Sequence, residues 1–421
     1  MKNTAFFRPS ALVLATLATI STGVYAAGFQ LTEQSALGLG RAYAGIGVDG
    51  ADISGAYYNP ATMTLHSGTN VQTGAVLVDL NLDYEGKNGE TENGRDKGKA
   101  IPHLYLTHQF NDQLYAGLAI TAPFGMQTSY GANWGLANRG YFSKIEVIDV
   151  NPSLAWKIND TWSVGVGVSY QYVDASLETK QQVALPNGGT LPLYADLEAD
   201  NSHWGWNVGV MYRPAENLRF GLSYRSEVKH TAKGTLSVTS GQAQIDQMLK
   251  GKGAPVGEMS AQASVSAPAW AMLSAAWDVN ADWSLYGTLR WSDWSSFNRL
   301  AIETNGKEAH AIENNWRDTY LMSVGADWRL SPQWTVRAGV GYETSPIKDA
   351  KTRTGVIPDA ARLWFGLGAS YKFNDHFTVD VGGAHLHGVG ERDLYNTTGD
   401  KVGRYKKLDA YLLGAQLQYH F

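Results

Sequence analysis

The sequence predicts an all-β fold: a 14-stranded antiparallel transmembrane β-barrel whose N-terminal segment forms a hatch, or plug, inside the lumen. Three observations carry this expectation. The chain opens with an export signal and has no later apolar run long enough for a spanning helix. Its segments alternate apolar and polar residues with period two and place aromatics at the stripe ends. Six tight turns separate those segments.

The export signal comes first in the chain. Lys2 and Arg8 form a short positive region, an apolar run follows from Ala11 to Ile20, and Val24-Tyr25-Ala26 offers small residues at both recognition positions of a signal peptidase. Cleavage after Ala26 leaves a mature chain beginning Ala27-Gly28-Phe29-Gln30. The apolar run is about half of the roughly 20 residues that a membrane-anchoring helix needs. The domain boundaries read from this are a signal peptide over 1–26, a hatch over 27–68 and a barrel over 69–421.

Composition points the same way. The chain holds 46 Gly, 22 Tyr and 14 Trp with only 17% charged residues, against roughly 25% in globular domains. That mixture suits strands whose outer faces meet lipid through aromatic girdles. Cysteine is absent, which excludes disulfides and thiolate metal sites. The net charge of −5 becomes −7 once Lys2 and Arg8 are removed, so no basic patch invites nucleic acid.

Period-two alternation is clearest from Trp162 through Val164, Val166, Val168 and Tyr170 to Tyr172, interleaved with Ser163, Gly165, Gly167, Ser169 and Gln171. One face is assigned to lipid and the other to the lumen. The same register is expected for Val76, Val78, Leu80, Leu82 and Tyr84 against Asp79, Asn81 and Asp83, and for Trp334, Val336, Ala338, Val340 and Tyr342 against Arg337, Gly339, Gly341 and Glu343. A soluble β-sandwich would need neither the export signal nor the repeated Trp and Tyr ends.

The strand number comes from the turns. Asn111-Asp112-Gln113, Asn159-Asp160-Thr161, Pro214-Ala215-Glu216-Asn217, Asn280-Ala281-Asp282, Ser331-Pro332-Gln333 and Asn374-Asp375-His376 each lie between alternating segments. Six hairpins supply twelve strands, with one more from Val71 to Tyr84 and a last from Leu408 to Phe421. An even count lets a single chain close into a barrel without free edges. The other connections, near 85–100, 126–141, 179–202, 230–262, 303–315, 344–361 and 388–406, are long and polar and are expected to be extracellular loops. The terminal Phe421, two residues after Tyr419, is the kind of signal that barrel-assembly machinery reads.

Residues 27–68 break the strand pattern. They are rich in Gly and Ala, and are too few for a domain with its own core. A lumen of this width is not filled by side chains alone, so the economical place for the segment is inside the barrel.

Within that segment, Ala27-Gly28-Phe29-Gln30-Leu31, Gly38-Leu39-Gly40-Arg41-Ala42-Tyr43 and Asn59-Pro60-Ala61 resemble the hatch of the long-chain fatty acid outer-membrane transporter family (FadL/TodX-like). The resemblance continues through Trp204-Gly205-Trp206-Asn207, Tyr224-Arg225-Ser226-Glu227-Val228-Lys229, Trp291-Ser292-Asp293-Trp294-Ser295 and Ile357-Pro358-Asp359, with Arg362 and Trp364 beyond, and so covers most of the mature chain. It implies a monomer in the outer membrane of a Gram-negative bacterium that moves long-chain fatty acids by passive diffusion. Ligand is captured between extracellular loops, passes to a lumenal pocket and leaves sideways at a kink in the third strand. Its surroundings would be outer-membrane lipid and lipopolysaccharide, with no cofactor and no nucleic acid.

The residues carry part of this reading themselves. The third strand places Leu114, Ala116, Leu118 and Ile120 on one face and then meets Pro123-Phe124-Gly125. Pro123 cannot donate to the ladder and Gly125 weakens strand order, so pairing is expected to fail there; an ordinary strand end is the plainer alternative. A fatty-acid carboxylate is best held by an Arg fork. Arg317 aligns with a basic head-group residue of the family, with a rim ion pair to Asp318 as its alternative, while a second such position falls on Thr179, beside Lys180. In the loop 230–262, Ile245, Met248 and Leu249 fall at i, i+3 and i+4 of a short amphipathic helix. Together with Leu185 and Leu193 of the loop 179–202, they are candidates for the capture groove. The resemblance alone makes Phe29 a candidate plug side chain and Asn59, Pro60 and Ala61 a candidate gating hinge; packing and an ordinary turn are the alternatives.

Catalytic signals are weak throughout. His385-Leu386-His387 puts two His on one strand face but has no carboxylate at metal-ligand spacing, so no metal site is read. Gly38-Leu39-Gly40 lacks the third glycine of a dinucleotide loop, and no Ser lies in a Gly-x-Ser-x-Gly turn. A hydrocarbon cargo is the nearest rival to a fatty acid. A general diffusion porin would leave 27–68 without a purpose, and a lipid hydrolase would need a Ser-His pair that is not found.

Overall fold

The computed structural model describes residues 28–93, 98–184, 189–396 and 398–421. The proposed signal peptide lies outside them, as do Ala27 and Leu185. Fourteen antiparallel strands close into one barrel. The first six are β1 (Thr69–Gly86), β2 (Lys99–Gln109), β3 (Leu114–Ser129), β4 (Phe142–Lys157), β5 (Trp162–Ala184) and β6 (Thr190–Ala215). Four interrupted strands follow: β7 (Leu218–Arg225, then Val228–Thr239), β8 (Gly257–Ala267, then Trp270–Asp278), β9 (Trp283–Ser292, then Arg299–Thr304) and β10 (Lys307–Glu313, then Thr319–Arg329). The last four are β11 (Trp334–Glu343), β12 (Ala361–Lys372), β13 (Phe377–Val389) and β14 (Lys401–His420). β14 pairs with β1 from Asn70↔His420 to Gly86↔Gly403, which closes the wall.

Five of the six tight turns sit between strands as expected, and the sixth is shortened to Glu216-Asn217 because β6 runs on to Ala215. Four are held by the Asn at their start: the side-chain oxygens of Asn111, Asn159, Asn280 and Asn374 accept from the amides of Gln113, Thr161, Asp282 and His376, each at 2.9 Å. This local bond mimics a backbone turn and commits the chain to reverse.

The outer face is greasy, as the alternation on β5 and β11 implies: Trp162, Val166, Trp334 and Val340 are exposed while Ser163, Gln171, Arg337 and Glu343 are buried. The stripe on β1 is the reverse of the expectation. Val76, Val78, Leu80, Leu82 and Tyr84 are buried inside, and Asp79, Asn81 and Asp83 lie on the outer side. The reason is packing on the inner side, where Tyr84 meets Trp134 and Tyr405 and Val76 meets the hatch. Ala36 packs against the inner wall beside Val76, so this part of the lumen is a protein core and not water.

Several expected loops are hairpin extensions of the wall. β5 and β6 stay paired from Trp162↔Tyr212 to Ala184↔Thr190, and β9 reaches β10 through Asn305 and Gly306 alone, both with positive φ. Polarity in these stretches marks water and not the end of pairing, because a ladder satisfies its own backbone in either solvent.

The hatch enters the lumen as α1 (Ala36–Leu39) and α2 (Gly55–Tyr58), with 3-10 turns at Ile46–Val48 and Pro60–Leu65. Almost every residue from Gly28 to Asp49 is buried. Such short helices have no stability alone; barrel side chains hold them. Arg41 pairs with Asp49 and, at 3.4 Å, with Asp327, while its guanidinium lies 3.8 Å over the Tyr286 ring. Arg225 pairs with Asp149 at 3.1 Å and donates to the Tyr57 carbonyl at 2.9 Å. Arg290 pairs with Glu343 at 3.0 Å and donates to Thr32 at 2.9 Å.

Candidate functional site

The third strand departs from the wall where Pro123 predicts it. β3 pairs with β2 only from Gln109↔Tyr115 to Leu104↔Ile120. On its other side it pairs with β4 to Thr121↔Asp149 and resumes, with a register shift, at Phe124↔Val147. From Thr121 to Met126 every residue is buried, so this stretch bends inward. Its backbone edge is served by the hatch: the amide of Leu31 donates to the Pro123 carbonyl at 2.8 Å and that of Gly125 to the Phe29 carbonyl at 2.9 Å. The Gln34 side chain adds bonds to both the carbonyl and the amide of Ala122, at 2.7 and 3.2 Å. A short hatch segment therefore stands where β2 would otherwise continue.

Two adjacent spaces share lining residues near this kink. An extracellular groove of about 1190 Å³ is walled by Leu177, Leu193, Leu197, Leu236, Met259 and Ile302, with Arg139 and Lys351 among its polar residues. It exceeds the usual range of roughly 300–1,000 Å³ for small-molecule sites. Below it an inner pocket of only about 60 Å³ is lined by Val173, Ala263, Val265, Leu300 and Val356 and ends at Phe29. Leu177 and Leu197 border both. Asn314, 2% exposed, lines the inner pocket, and its Nδ2 has no partner among the described residues.

The floor is aromatic. Phe29 meets Phe124, Trp294, Phe297 and Trp316 with ring centroids 4.8–6.5 Å apart, mostly in the edge-to-face geometry that the ring quadrupole favours. It is 1% exposed. Sequence alternation could not find its partners, since Trp294, Phe297 and Trp316 occupy the interruptions of β9 and β10.

Of the residues singled out in the sequence, Leu185 lies outside the described residues and the others have definite places. Phe29 reaches the inner pocket and Leu193 the outer groove. Thr179 also borders the groove, while Lys180 bonds Asn133 at 2.5 Å. The short helix in 230–262 forms as α3 (Ala243–Gly251), but Ile245, Met248 and Leu249 do not line the groove; Leu236, Val238 and Met259, on the flanking strands, do. Arg317 is exposed, borders neither space, and donates from Nε to the Ser345 carbonyl at 3.1 Å. Its alternative partner is otherwise engaged, since Asp318 accepts from Trp291 at 2.9 Å and from the Ser295 amide at 3.1 Å. Asn59 is buried and caps the turn it begins: Ala61 donates to its Oδ1 at 3.1 Å, and its Nδ2 donates to Gly47 at 2.9 Å and to Val210 of β6 at 3.1 Å. Asn59-Pro60-Ala61 thus pins the hatch to the wall. A Cβ at Gly209 would stand 1.9 Å from the Asn59 Oδ1, so the wall needs glycine there for the hatch to seat.

Sequence reasoning missed Arg139 and Asn314. Arg139 ends a 3-10 turn (Ala137–Arg139) and donates to the carbonyls of Arg353 and Tyr395, at 3.5 and 3.3 Å. Burial pulls its pKa below the ordinary arginine value. No local pattern marks it, because its surroundings come from distant loops.

A closed fourteen-strand wall, an inserted hatch and a greasy path from the outer rim define an outer-membrane barrel built for hydrophobic solutes. The chain belongs to the outer membrane protein transport protein family (OMPP1/FadL/TodX), whose model matches residues 17–421. It is 30% identical to the long-chain fatty acid transport protein of Escherichia coli K12, over 92% of this chain and 94% of the relative. It is 28% identical to outer membrane protein P1 of Haemophilus influenzae Rd, over 95% and 96%. Among solved structures, a Pseudomonas aeruginosa FadL homologue superposes with a TM-score of 0.86 at 25% identity, covering 94% of this chain and all of that one. The Pseudomonas putida toluene transporter TodX shares the fold, with a TM-score of 0.69 at 16% identity over 94% of this chain and 100% of that one.

Proposed function

We propose that this chain carries long-chain fatty acids across the outer membrane by passive diffusion. Capture occurs in the extracellular groove, the inner pocket is the next station, and exit is lateral, beside Pro123 and Gly125. The observation that carries this reading is that groove, pocket and strand break adjoin one another. The groove and the pocket share Leu177 and Leu197, the pocket ends on Phe29, and the Phe29 carbonyl is bonded to Gly125 at the break in the wall. A cargo soluble in the bilayer has no need of water on the way out, so a sideways opening is easier than displacing the whole hatch. An open edge is tolerated at membrane depth only where protein covers it or it lines a passage, and hatch residues 29–31 cover this one.

For the carboxylate, Arg139 at the groove is better placed than Arg317. Its described bonds go to backbone carbonyls, so its charge is available to an incoming acid. In this reading the protein acts as a monomer with neither cofactor nor catalytic centre. It is exported on a signal peptide cut after Ala26, folded by machinery that reads Phe421, and surrounded by outer-membrane lipid and lipopolysaccharide.

A hydrocarbon cargo is the second reading. It is favoured by the inner pocket, whose lining is chiefly apolar and whose one lysine, Lys144, is already paired with Asp174 at 2.8 Å and Glu146 at 3.3 Å. Titrating the detergent-purified protein with radiolabelled oleate and with toluene separates the two. Saturable oleate binding supports the fatty-acid reading, and toluene binding without oleate binding replaces it.

A further inference from the structure

On the outer wall, His385 and His387 project from β13 on the same face, two residues apart. The neighbouring β14 sets Asp409 directly opposite His387. The His387 Nδ1 lies 2.9 Å from one Asp409 carboxylate oxygen, and the His385 Nε2 lies 4.0 Å from the other. The three donor atoms fall within 4.8 Å of one another. The sequence alone showed the two histidines without a carboxylate; the fold brings one from 22 residues along the chain.

We propose that His385, His387 and Asp409 form a site for a divalent transition-metal ion, best suited to Zn²⁺. Two imidazoles and one carboxylate match zinc's preferred nitrogen and oxygen donors, whereas Mg²⁺ and Ca²⁺ prefer all-oxygen shells. Zinc bonds of roughly 2.0–2.2 Å require donors a little over 3 Å apart. The 2.9 and 4.0 Å separations approach this, and small rotations of the two half-exposed rings close the rest. The His385 Nε2 has no hydrogen-bond partner among the described residues.

The surroundings orient the donors. The Gly388 amide donates to the Asp409 Oδ1 at 3.2 Å. The His385 ring stacks on Tyr411 with centroids 4.7 Å apart and an interplanar angle of 6°, and Phe365 lies on its other side at 6.5 Å. Such outer contacts fix ligand orientation in known metal sites. The row Phe365, His385, Tyr411 is directly paired across three strands and has the composition of an aromatic girdle, the level at which a barrel meets water. An ion from solvent can reach it there. Bound zinc would bridge β13 to β14, one strand from the β14–β1 seam that closes the barrel.

The test is zinc titration of the full mature protein in detergent, without a polyhistidine tag, by calorimetry. One ion per chain is expected at this site. His385→Gln with His387→Gln, or Asp409→Asn alone, should weaken binding by about tenfold or more. His376 and His420 stack at the opposite end of the strands, with centroids 6.5 Å apart, so His376→Gln is the control and should leave this affinity unchanged. These side chains are outside the core, and heat modifiability on gels confirms that each variant is folded. Zinc should also raise the temperature of that heat transition in the wild type and not in the double variant. Unchanged zinc affinity in the folded His385→Gln, His387→Gln protein overturns the site, as does an absence of binding at millimolar zinc.

Discussion

The amide of Leu31 donates to the carbonyl of Pro123 at 2.8 Å, so the hatch completes the edge of a barrel strand that its own neighbour abandons. The kink is therefore not a frayed strand end. β3 continues for nine residues past its last partner on β2, from Thr121 to Ser129, and the hatch supplies bonds over the first part of that stretch.

Changing Pro123 to Val and Gly125 to Thr together removes both features that stop regular pairing. Oleate uptake by cells that depend on this protein should fall strongly, while oleate binding at the extracellular groove persists. Circular dichroism and heat modifiability check that the barrel is intact. Normal uptake in a folded double variant would move the exit to the hatch, with Asn59-Pro60-Ala61 as its gate.

Phe29→Ala removes the central ring of the floor. Losing a buried Phe costs about 3–5 kcal/mol in packing, felt by the hatch more than by the wall. The pocket of about 60 Å³ above it should enlarge. Higher single-channel conductance in planar bilayers is the expected result; conductance equal to wild type would make Phe29 a simple wall anchor.

Glu33 gives the hatch a pH dependence. Both its carboxylate oxygens are buried with no side-chain partner among the described residues. Burial, with Glu343 adding to it, pushes the carboxyl up to about 8, partly offset by its own backbone bond and by Arg362 and Arg290. The folded hatch thus holds a proton that the unfolded segment loses near its ordinary value of 4.5. Stability linked to this group is full below about 4.5 and is lost as pH rises through about 8. Conductance should climb between pH 7 and pH 9 as the hatch loosens, and Glu33→Gln should flatten that climb. A wild-type profile that is level over this range would remove Glu33 from any part in hatch seating.

What the sequence made legible follows from range. Asn159 announces its turn because its side chain bonds the Thr161 and Trp162 amides within three residues, and β5 shows its faces because lipid imposes them residue by residue. The direction of the Val76 stripe was not legible, because it depends on Ala36 lying against the inner wall. Nor were Arg139, set among loops more than 200 residues away, and Asp409, opposite His387 on the next strand. Polarity was read as loop where the ladder simply rises into water. For Val76, Arg139 and Asp409 the deciding contact is distant in the chain.

Arg139 and Arg317 supply the last prediction. A charge-assisted hydrogen bond is worth roughly 1.5–3 kcal/mol, so Arg139→Ala should weaken oleate binding by about tenfold or more while hardly altering binding of methyl oleate. Arg317→Ala should affect acid and ester alike and only slightly, because its Nε is spent on the Ser345 carbonyl and its side chain borders neither space. Competition binding with acid and ester on the two purified variants decides between them. Selective loss of the acid on Arg317→Ala would return the head-group role to that residue and require the loop at Ser345 to open on binding. Equal losses of acid and ester on Arg139→Ala would show that the carboxylate is held elsewhere, with the Asn314 Nδ2 in the inner pocket as the next donor to change.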